Sequence, residues 1–303
     1  MRITIGQAYS FCQEGSRDYQ EDSRYPDADT ANEGQHFFLV CDGVGGCEKG
    51  EVASETVCEA FGKAMESYDL DKEFTNQNFI HVLDAAYDAL DQKSNRSNDG
   101  MATTMTFVCF HQGGCLMAHI GDSRVYQIRP GEGILYRSDD HSLVNELVHN
   151  GVITPDEAIN HPRQNVITRY MESVKEDGNR CMATVYRTKD VKTGDYFFLC
   201  SDGVLHCVSD DELLKILSDN EMTDEEKIKI IAMHSVSSSD NNTAWLIPIM
   251  NVESDVIDDE EETPVSDHET KRMKSPQQGS EDVESVKKNG GNTFATWIKK
   301  VFS

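Results

Sequence analysis

No apolar run in the 303 residues approaches the roughly 20 residues that a membrane-spanning helix needs. Residues 1–22 turn polar too early for a secretory signal. Positive charge is also scarce, with 28 basic residues against 54 acidic ones and a net charge of −26. A field of that sign repels phosphate backbones, so nucleic-acid binding is not expected. These absences predict a cytoplasmic protein that binds cations locally.

The nine cysteines include no C-x-x-C pair, which argues against a zinc ribbon. Cys41, Cys109 and Cys200 lie inside apolar runs. That position is typical of reduced core thiols in a cytosolic protein.

Composition changes near residue 250. Residues 253–262 contain seven acids and no base, and 251–293 are rich in Asp, Glu, Ser, Lys, Gln and Gly. Such a stretch cannot bury enough surface to order itself. We therefore predict one folded domain over 1–250, a disordered acidic linker over 251–293 and a short amphipathic segment over 294–303.

The C-terminal segment has apolar residues at helical spacing, so a helix would place them on one face: Phe294, Trp297, Ile298, Val301 and Phe302. Even the eleven residues 293–303 are marginal for an isolated helix in water. Lys299 and Lys300 offer only about 1 kcal/mol each toward an anionic membrane. Three fates stay open, namely packing on the catalytic domain, docking to a protein partner or weakly to a membrane, and disorder.

Two short apolar runs, 37–41 and 197–200, stop at Asp-Gly or Ser-Asp-Gly and are interpreted as buried strands. Other strands are predicted at 105–110, 115–120 and 125–128. Apolar residues at helical spacing predict helices over 51–65, 76–93, 143–149, 211–217 and 224–234. Strands in hairpins on both sides of a helical pair indicate an α+β fold rather than an alternating parallel sheet.

Six acids lie where the backbone changes direction: Glu21, Asp22, Asp42, Asp122, Asp202 and Asp240. One Asp before Gly is commonly an ordinary turn residue. Asp42 and Asp202 differ because each follows an apolar strand, which delivers it to the rim of the sheet. Carboxylates that converge there repel unless cations neutralise them, and oxygen ligands suit Mg²⁺ or Mn²⁺. Two such ions about 3.5–4 Å apart can activate water and polarise a phosphoryl oxygen.

Eight motifs follow one another in the order found in a known family: RDYQED, VCDGVGG with GEVAS, GMATT, GDSRVY, DDHSLVNELVHNGVIT, NVITR, CSDGV and DNNT. Together they span about residues 15–243 and resemble the metal-dependent serine/threonine phosphatases of the protein phosphatase 2C family, in a compact form similar to bacterial members. The resemblance implies a four-layer α-β-β-α sandwich with a central antiparallel β-sandwich and metals at one end.

The resemblance also implies a ligand set. Asp42 should bridge two metal ions, Glu21 and the Gly43 carbonyl should help to hold one of them, and Asp202 and Asp240 should hold the other.

Two further roles follow from the same resemblance. Asp122 matches a carboxylate that serves a third, weaker metal together with Asp202. Arg17 matches the arginine that receives the substrate phosphate, and a guanidinium fork pairs well with phosphate oxygens.

The implied activity is hydrolysis of phosphoserine and phosphothreonine in proteins by a hydroxide that bridges the metals. Phosphorylated proteins and an opposing serine/threonine kinase are the expected partners. Two alternatives stay open: a pseudophosphatase that binds phosphorylated partners without turnover, and a phosphatase of the same fold that acts on a regulatory antagonist or a small metabolite.

The chain departs from the pattern at two positions where many relatives carry histidine, here Val44 and Cys47. In animal-type members the first of these histidines is the proposed general acid, a function worth roughly 10²–10⁴-fold. Protonation of the leaving group is thus left to water or to another residue. Gln20 replaces the Asn that relatives usually have, so one amide takes the place of another. The segment 150–180 is expected to lie over the site as a flap, and it also diverges from the family pattern.

Overall fold

The computed structural model describes residues 1–44, 49–94, 101–159, 161–173 and 180–253. Its strands are β1 (Arg2–Ile5), β2 (Ala8–Gln13), β3 (Asp22–Tyr25), β4 (Thr30–Ala31), β5 (Phe37–Asp42), β6 (Ala102–Thr103), β7 (Met105–His111), β8 (Gly114–Ile120), β9 (Arg124–Arg129), β10 (Gly133–Arg137), β11 (Met171–Glu172), β12 (Thr184–Thr188), β13 (Tyr196–Cys200) and β14 (Asn242–Glu253). Its helices are α1 (Gly50–Met65), α2 (Asn76–Lys93), α3 (Leu143–His149), α4 (Pro155–Ile159), α5 (Asp202–Leu205), α6 (Asp210–Leu217) and α7 (Asp224–Ser235).

Two large antiparallel sheets dominate the described part of the chain. One has seven strands, in the order β10-β9-β13-β14-β2-β4, with β1 also pairing with β14. The other has five strands, in the order β12-β8-β7-β5-β3, and β6 and β11 form a small separate ladder. Antiparallel hairpins of this kind confirm the predicted α+β class.

Successive side chains of the central strands point to opposite faces of the sheets, and the buried apolar ones form three clusters. Between the sheets, Phe38 and Val40 of β5 meet Trp245 and Ile247 of β14. The opposite face of the five-stranded sheet packs against α1 and α2, and the opposite face of the other sheet packs against α5, α6 and α7. The layers are therefore helix, sheet, sheet and helix, as the predicted four-layer sandwich requires.

The helices begin where the sequence supplies caps. The Thr75 hydroxyl at the start of α2 accepts a hydrogen bond from the Asn78 backbone N–H, and Asn78 Oδ1 accepts one from the Thr75 backbone N–H. This reciprocal pair satisfies amide groups that the first helical turn leaves unbonded. The five helices predicted from apolar spacing are all present, and α2 and α3 have the predicted bounds.

Sequence reasoning predicted neither β3 nor β14. β3 is only Asp22–Tyr25, and it buries a carboxylate and a guanidinium, Arg24. Arg24 bonds to Ser10 and Asp29, so tertiary partners compensate its burial. β14 includes residues 251–253, which composition places in the linker, because β1 pairs with this end of the strand.

Apart from these three residues, the predicted linker and C-terminal segment lie outside the described residues. Within the described ranges, no helix combines the length and the apolar character needed to cross a membrane.

The two-sheet core makes a first prediction. Phe38 is fully buried, with its ring 5.0 Å from that of Trp245. Phe38→Ala should lower the free energy of unfolding by about 3–5 kcal/mol, because it removes buried contacts and leaves a cavity. Urea unfolding measures the change, with Met233→Ala, which alters a side chain 71% exposed, as the control. A loss below about 1 kcal/mol at Phe38 would contradict this packing.

Candidate metal and phosphate site

The two sheets deliver acidic residues to the same end of the sandwich. Asp42 is the last residue of β5, and Asp22 lies opposite it on β3. Asp202 begins α5, two residues after β13 ends in the other sheet. Asp42 and Asp202 line the same cleft, so the two strand ends predicted to converge do meet.

A cleft of about 370 Å³ opens at this end of the sandwich. Its described lining consists of Arg17, Glu21, Asp42, Gly43, Val44, Thr104, Asp122, Asn165, Ile167, Asp202, His206 and Asp240. The seven residues predicted from the motifs are all among them. The structure therefore brings together residues that lie up to 223 positions apart in the sequence.

The acids of the cleft crowd one another. Burial, followed by the charges of Asp22, Asp202 and other neighbouring acids, raises the pKa of Asp42 well above its ordinary value. Burial raises the pKa of Asp22 to about 7 and that of Asp122 to about 8, and the charge of Asp202 contributes to both. Burial also raises the pKa of Glu21. Carboxylates that are costly to ionise in this way attract cations.

Threonine and serine hydroxyls fix the backbone beneath these acids. The Asp42 N–H donates to Thr104 Oγ1 at 3.0 Å, and the Asp42 carbonyl accepts from the Thr104 N–H at 2.8 Å. Thr104 Oγ1 also lies 2.8 Å from Ser123 Oγ, beside Asp122. Thr104 thus holds the end of β5 against the Asp122 loop.

Ser201 fixes the backbone next to Asp202 in the other sheet. Its hydroxyl donates to Asp22 Oδ2 at 2.8 Å and accepts from the Thr243 N–H at 3.0 Å. The residue before Asp202 is thereby joined both to β3 and to β14.

Asn241 joins the N-terminal loop to the start of β14. Its side-chain oxygen accepts from the Glu21 N–H at 2.9 Å, and its amide group donates to the carbonyls of Glu14 and Tyr19, both at 2.9 Å. Glu21 is consequently held beside Asp240 in spite of the long sequence separation.

Arg17 lies at the edge of the cleft with its side chain 43% exposed. Its Nη2 is 2.7 Å from Asp240 Oδ2, and its Nε donates to the Ser239 carbonyl at 3.3 Å. The second oxygen of Asp240 accepts from the Asn241 N–H at 2.9 Å. Both oxygens of Asp240 are therefore engaged.

The donor set fits Mg²⁺ or Mn²⁺, because it consists of carboxylate oxygens and the Gly43 carbonyl. Within the described ranges, however, no three acidic, histidine or cysteine side chains form a group that could hold a metal ion as they stand. In the structure Asp240 is paired with the Arg17 guanidinium instead.

The divergent segment contributes one wall of the cleft through Asn165 and Ile167. A β-bridge between Ser142 and Ile167 and a hydrogen bond from the Thr168 N–H to the His141 carbonyl at 2.7 Å fix this wall. The Gly121 N–H also donates to His141 Nδ1 at 3.1 Å, so His141 joins the wall to the Asp122 loop.

Sequence reasoning assigned no role to Thr104, Asn165, Ile167 or His206, all of which line the cleft. Thr104 lies in the GMATT motif, and Asn165 and Ile167 lie in NVITR. The signal for His206 is that it follows Asp202 by four residues and therefore shares its helical face. Val44 lines the cleft without a titratable group, whereas Cys47 lies outside the described residues.

A Cys-x5-Arg spacing, which a cysteine-nucleophile phosphatase would use, occurs once, at Cys181 and Arg187. Arg187 lies on the extended strand β12 and donates to Asn76 Oδ1 at 2.7 Å and to the Phe74 carbonyl. Such a pair forms no phosphate-binding loop, since the strand carries the arginine away from the thiol.

Comparison with known proteins agrees with the geometry. The family model for protein phosphatase 2C matches residues 15–248. Protein phosphatase PhpP of Streptococcus pneumoniae is 32% identical over 217 residues, which cover 71% of this chain and 86% of PhpP.

Solved structures give the same result. Serine/threonine phosphatase Stp1 from Staphylococcus aureus matches with a TM-score of 0.69 at 28% identity, over 83% of this chain and 99% of Stp1. The catalytic domain of the serine/threonine protein phosphatase PstP, in complex with two manganese ions, matches with a TM-score of 0.64 at 27% identity, over 82% of this chain and 100% of that domain. The family match includes every predicted site residue, and the chain belongs to the protein phosphatase 2C family.

Proposed function

We propose that this protein hydrolyses phosphoserine and phosphothreonine in other proteins with the help of bound divalent cations. The observation that carries the proposal is the cleft in which all seven predicted residues meet, with buried acids on its floor and Arg17 at its edge. Hydrolysis of a phosphothreonine peptide with Mn²⁺ and with EDTA tests it. Turnover that is equal in both would contradict it.

In this proposal Asp42 would be shared by two ions, Glu21 and the Gly43 carbonyl would help to hold one, and Asp202 and Asp240 would hold the other. Asp122 and Asp202 would serve a third, weaker ion. When bound, divalent cations lower the pKa of water and polarise the phosphoryl oxygen. The remaining task of the cleft is to bind and orient the phosphoryl group of the substrate.

Arg17 would bind the phosphoryl group. In the structure its guanidinium is paired with Asp240, and a cation at Asp240 would release it toward the substrate. Its planar fork matches two phosphate oxygens. The same exchange would therefore load the metal site and free the group that binds phosphate.

A pseudophosphatase is less well supported, because Glu21, Asp42, Asp202 and Asp240 all line the cleft. A regulatory antagonist as substrate would use the same site, and the wall at Asn165 and Ile167 would decide between such substrates.

An opposing serine/threonine kinase and a cytoplasmic location belong to the same proposal. Free thiols at all eight described cysteines accord with a reducing compartment. Docking of the C-terminal segment stays a prediction from its apolar spacing.

The bridging role makes a direct prediction. Asp42→Asn should lower Mn²⁺-dependent hydrolysis of a phosphothreonine peptide by about 10²-fold or more, because a neutral amide cannot replace the charge between two cations. The variant should melt no lower than wild type without metal, since one repelling charge is gone. Asp27→Asn, at a side chain 94% exposed, is the matched control. Full activity in Asp42→Asn would exclude the bridging role.

The raised pKa values predict how pH affects the metal-free protein. Between about pH 4, where ordinary aspartates titrate, and the pKa of about 8 at Asp122, the folded state retains protons that the unfolded chain has lost. Its stability therefore falls as pH rises through this window. In EDTA the melting temperature should drop by about 5 °C or more from pH 5 to pH 8. Saturating Mn²⁺ should remove most of this drop in melting temperature. A melting temperature in EDTA that does not change between pH 5 and pH 8 would contradict the raised pKa values.

The Arg17–Asp240 pair separates phosphate binding from metal binding. Arg17→Ala should raise the Michaelis constant for phosphopeptide by about 10-fold or more, since it removes hydrogen bonds to a charged group. Mn²⁺ affinity, measured by calorimetry, should stay equal or increase, because the competitor for Asp240 is gone. Arg137→Ala removes an arginine with the same 43% exposure and a similar pair, to Asp210 at 2.6 Å. This control should change neither value, and weaker Mn²⁺ binding in Arg17→Ala would contradict the competition.

A further inference from the structure

His206 lies one helical turn after Asp202, at the C-terminal end of α5. Its backbone N–H donates to the Asp202 carbonyl at 3.1 Å, so the two side chains leave the same face of the turn. His206 lines the cleft, and among the described lining residues it supplies the one imidazole.

The imidazole is close to Asp202 without being bonded to it. Nε2 lies 3.8 Å from Asp202 Oδ2, which is beyond hydrogen-bond length. The side chain is 37% exposed, and no other described side chain pairs with its ring. The N–H of the ring is therefore available to a group that enters the cleft.

A phosphoryl group entering this cleft needs hydrogen-bond donors. Most of the polar lining residues are acids, which only accept when ionised. The Thr104 hydroxyl is already bonded to the Asp42 N–H and to Ser123, and Val44 offers no polar side chain. Arg17, His206 and the Asn165 amide are thus the side-chain donors left among the described lining residues, and of these three His206 lies directly beside Asp202.

We propose that His206 is a substrate-binding residue that donates a hydrogen bond to the phosphoryl group of the phosphoserine or phosphothreonine substrate. The inference rests on the proposed function and assigns a role to a residue outside the eight motifs. It requires no change of protonation, because a neutral imidazole always carries one N–H.

The test compares His206→Ala and His206→Gln with wild type, all loaded with Mn²⁺. Loss of one hydrogen bond to a charged group should raise the Michaelis constant by about 10-fold for both a phosphothreonine peptide and p-nitrophenyl phosphate. Inhibition by inorganic phosphate should weaken by a similar factor. Glutamine keeps an N–H donor, so His206→Gln should recover most of the loss. His81→Ala, at an exposed histidine on α2, should behave as wild type.

Calorimetric titration with Mn²⁺ separates a substrate contact from a metal ligand. The proposal expects His206→Ala to bind Mn²⁺ within about 2-fold of wild type, and an equal loss of Mn²⁺ and phosphate affinity would overturn it. An unchanged Michaelis constant, or His206→Gln no better than His206→Ala, would also overturn it. If wild type fails to turn over the peptide, the proposed function fails. Binding of inorganic phosphate to the Mn²⁺-loaded variants then still decides the role of His206.

Discussion

Mutual repulsion among buried carboxylates at one end of the β-sandwich is the constraint on which the rest of the site depends. Asp22, Asp42, Asp122 and Asp202 come from both sheets, and burial raises the pKa of each. Such a cluster lowers stability unless the surrounding fold holds it in place. The packed core between the sheets and the hydroxyl contacts beneath the acids provide that support.

The support is built from pairs of strands rather than from any one loop. Thr104 bonds to the backbone of Asp42 in the five-stranded sheet, and Ser201 bonds to Asp22 across the two sheets. The Thr104 contacts use the backbone of Asp42 and do not engage its carboxylate. Arg17 does engage a carboxylate, since its guanidinium pairs with Asp240. In the proposed function a cation at Asp240 would release Arg17, so metal binding and phosphate binding would be coupled through this ion pair.

The sequence was most informative where local pattern and chemistry coincide. Apolar runs that end in Asp-Gly predicted β5 and β13, and apolar spacing predicted α2 at Asn76–Lys93. β3 escaped notice because its buried Asp22 and Arg24 resemble surface residues until their partners are known. The eight motifs located the residues of the cleft. His206 lies outside the motifs, and Asn165 and Ile167 lie within NVITR but received no role, because only tertiary packing brings their side chains to the acids.

Proton release on metal binding tests the central claim most directly. Carboxyls with pKa values of about 7 and 8 carry protons at neutral pH in the metal-free protein, and cations must displace them. Titration of Mn²⁺ at pH 7 in buffers of different ionisation enthalpy counts the protons released. The account predicts release of about one proton or more per protein, falling toward zero at pH 9. Binding at pH 7 without proton release would show that the carboxylates are already ionised, and it would contradict the crowded cluster.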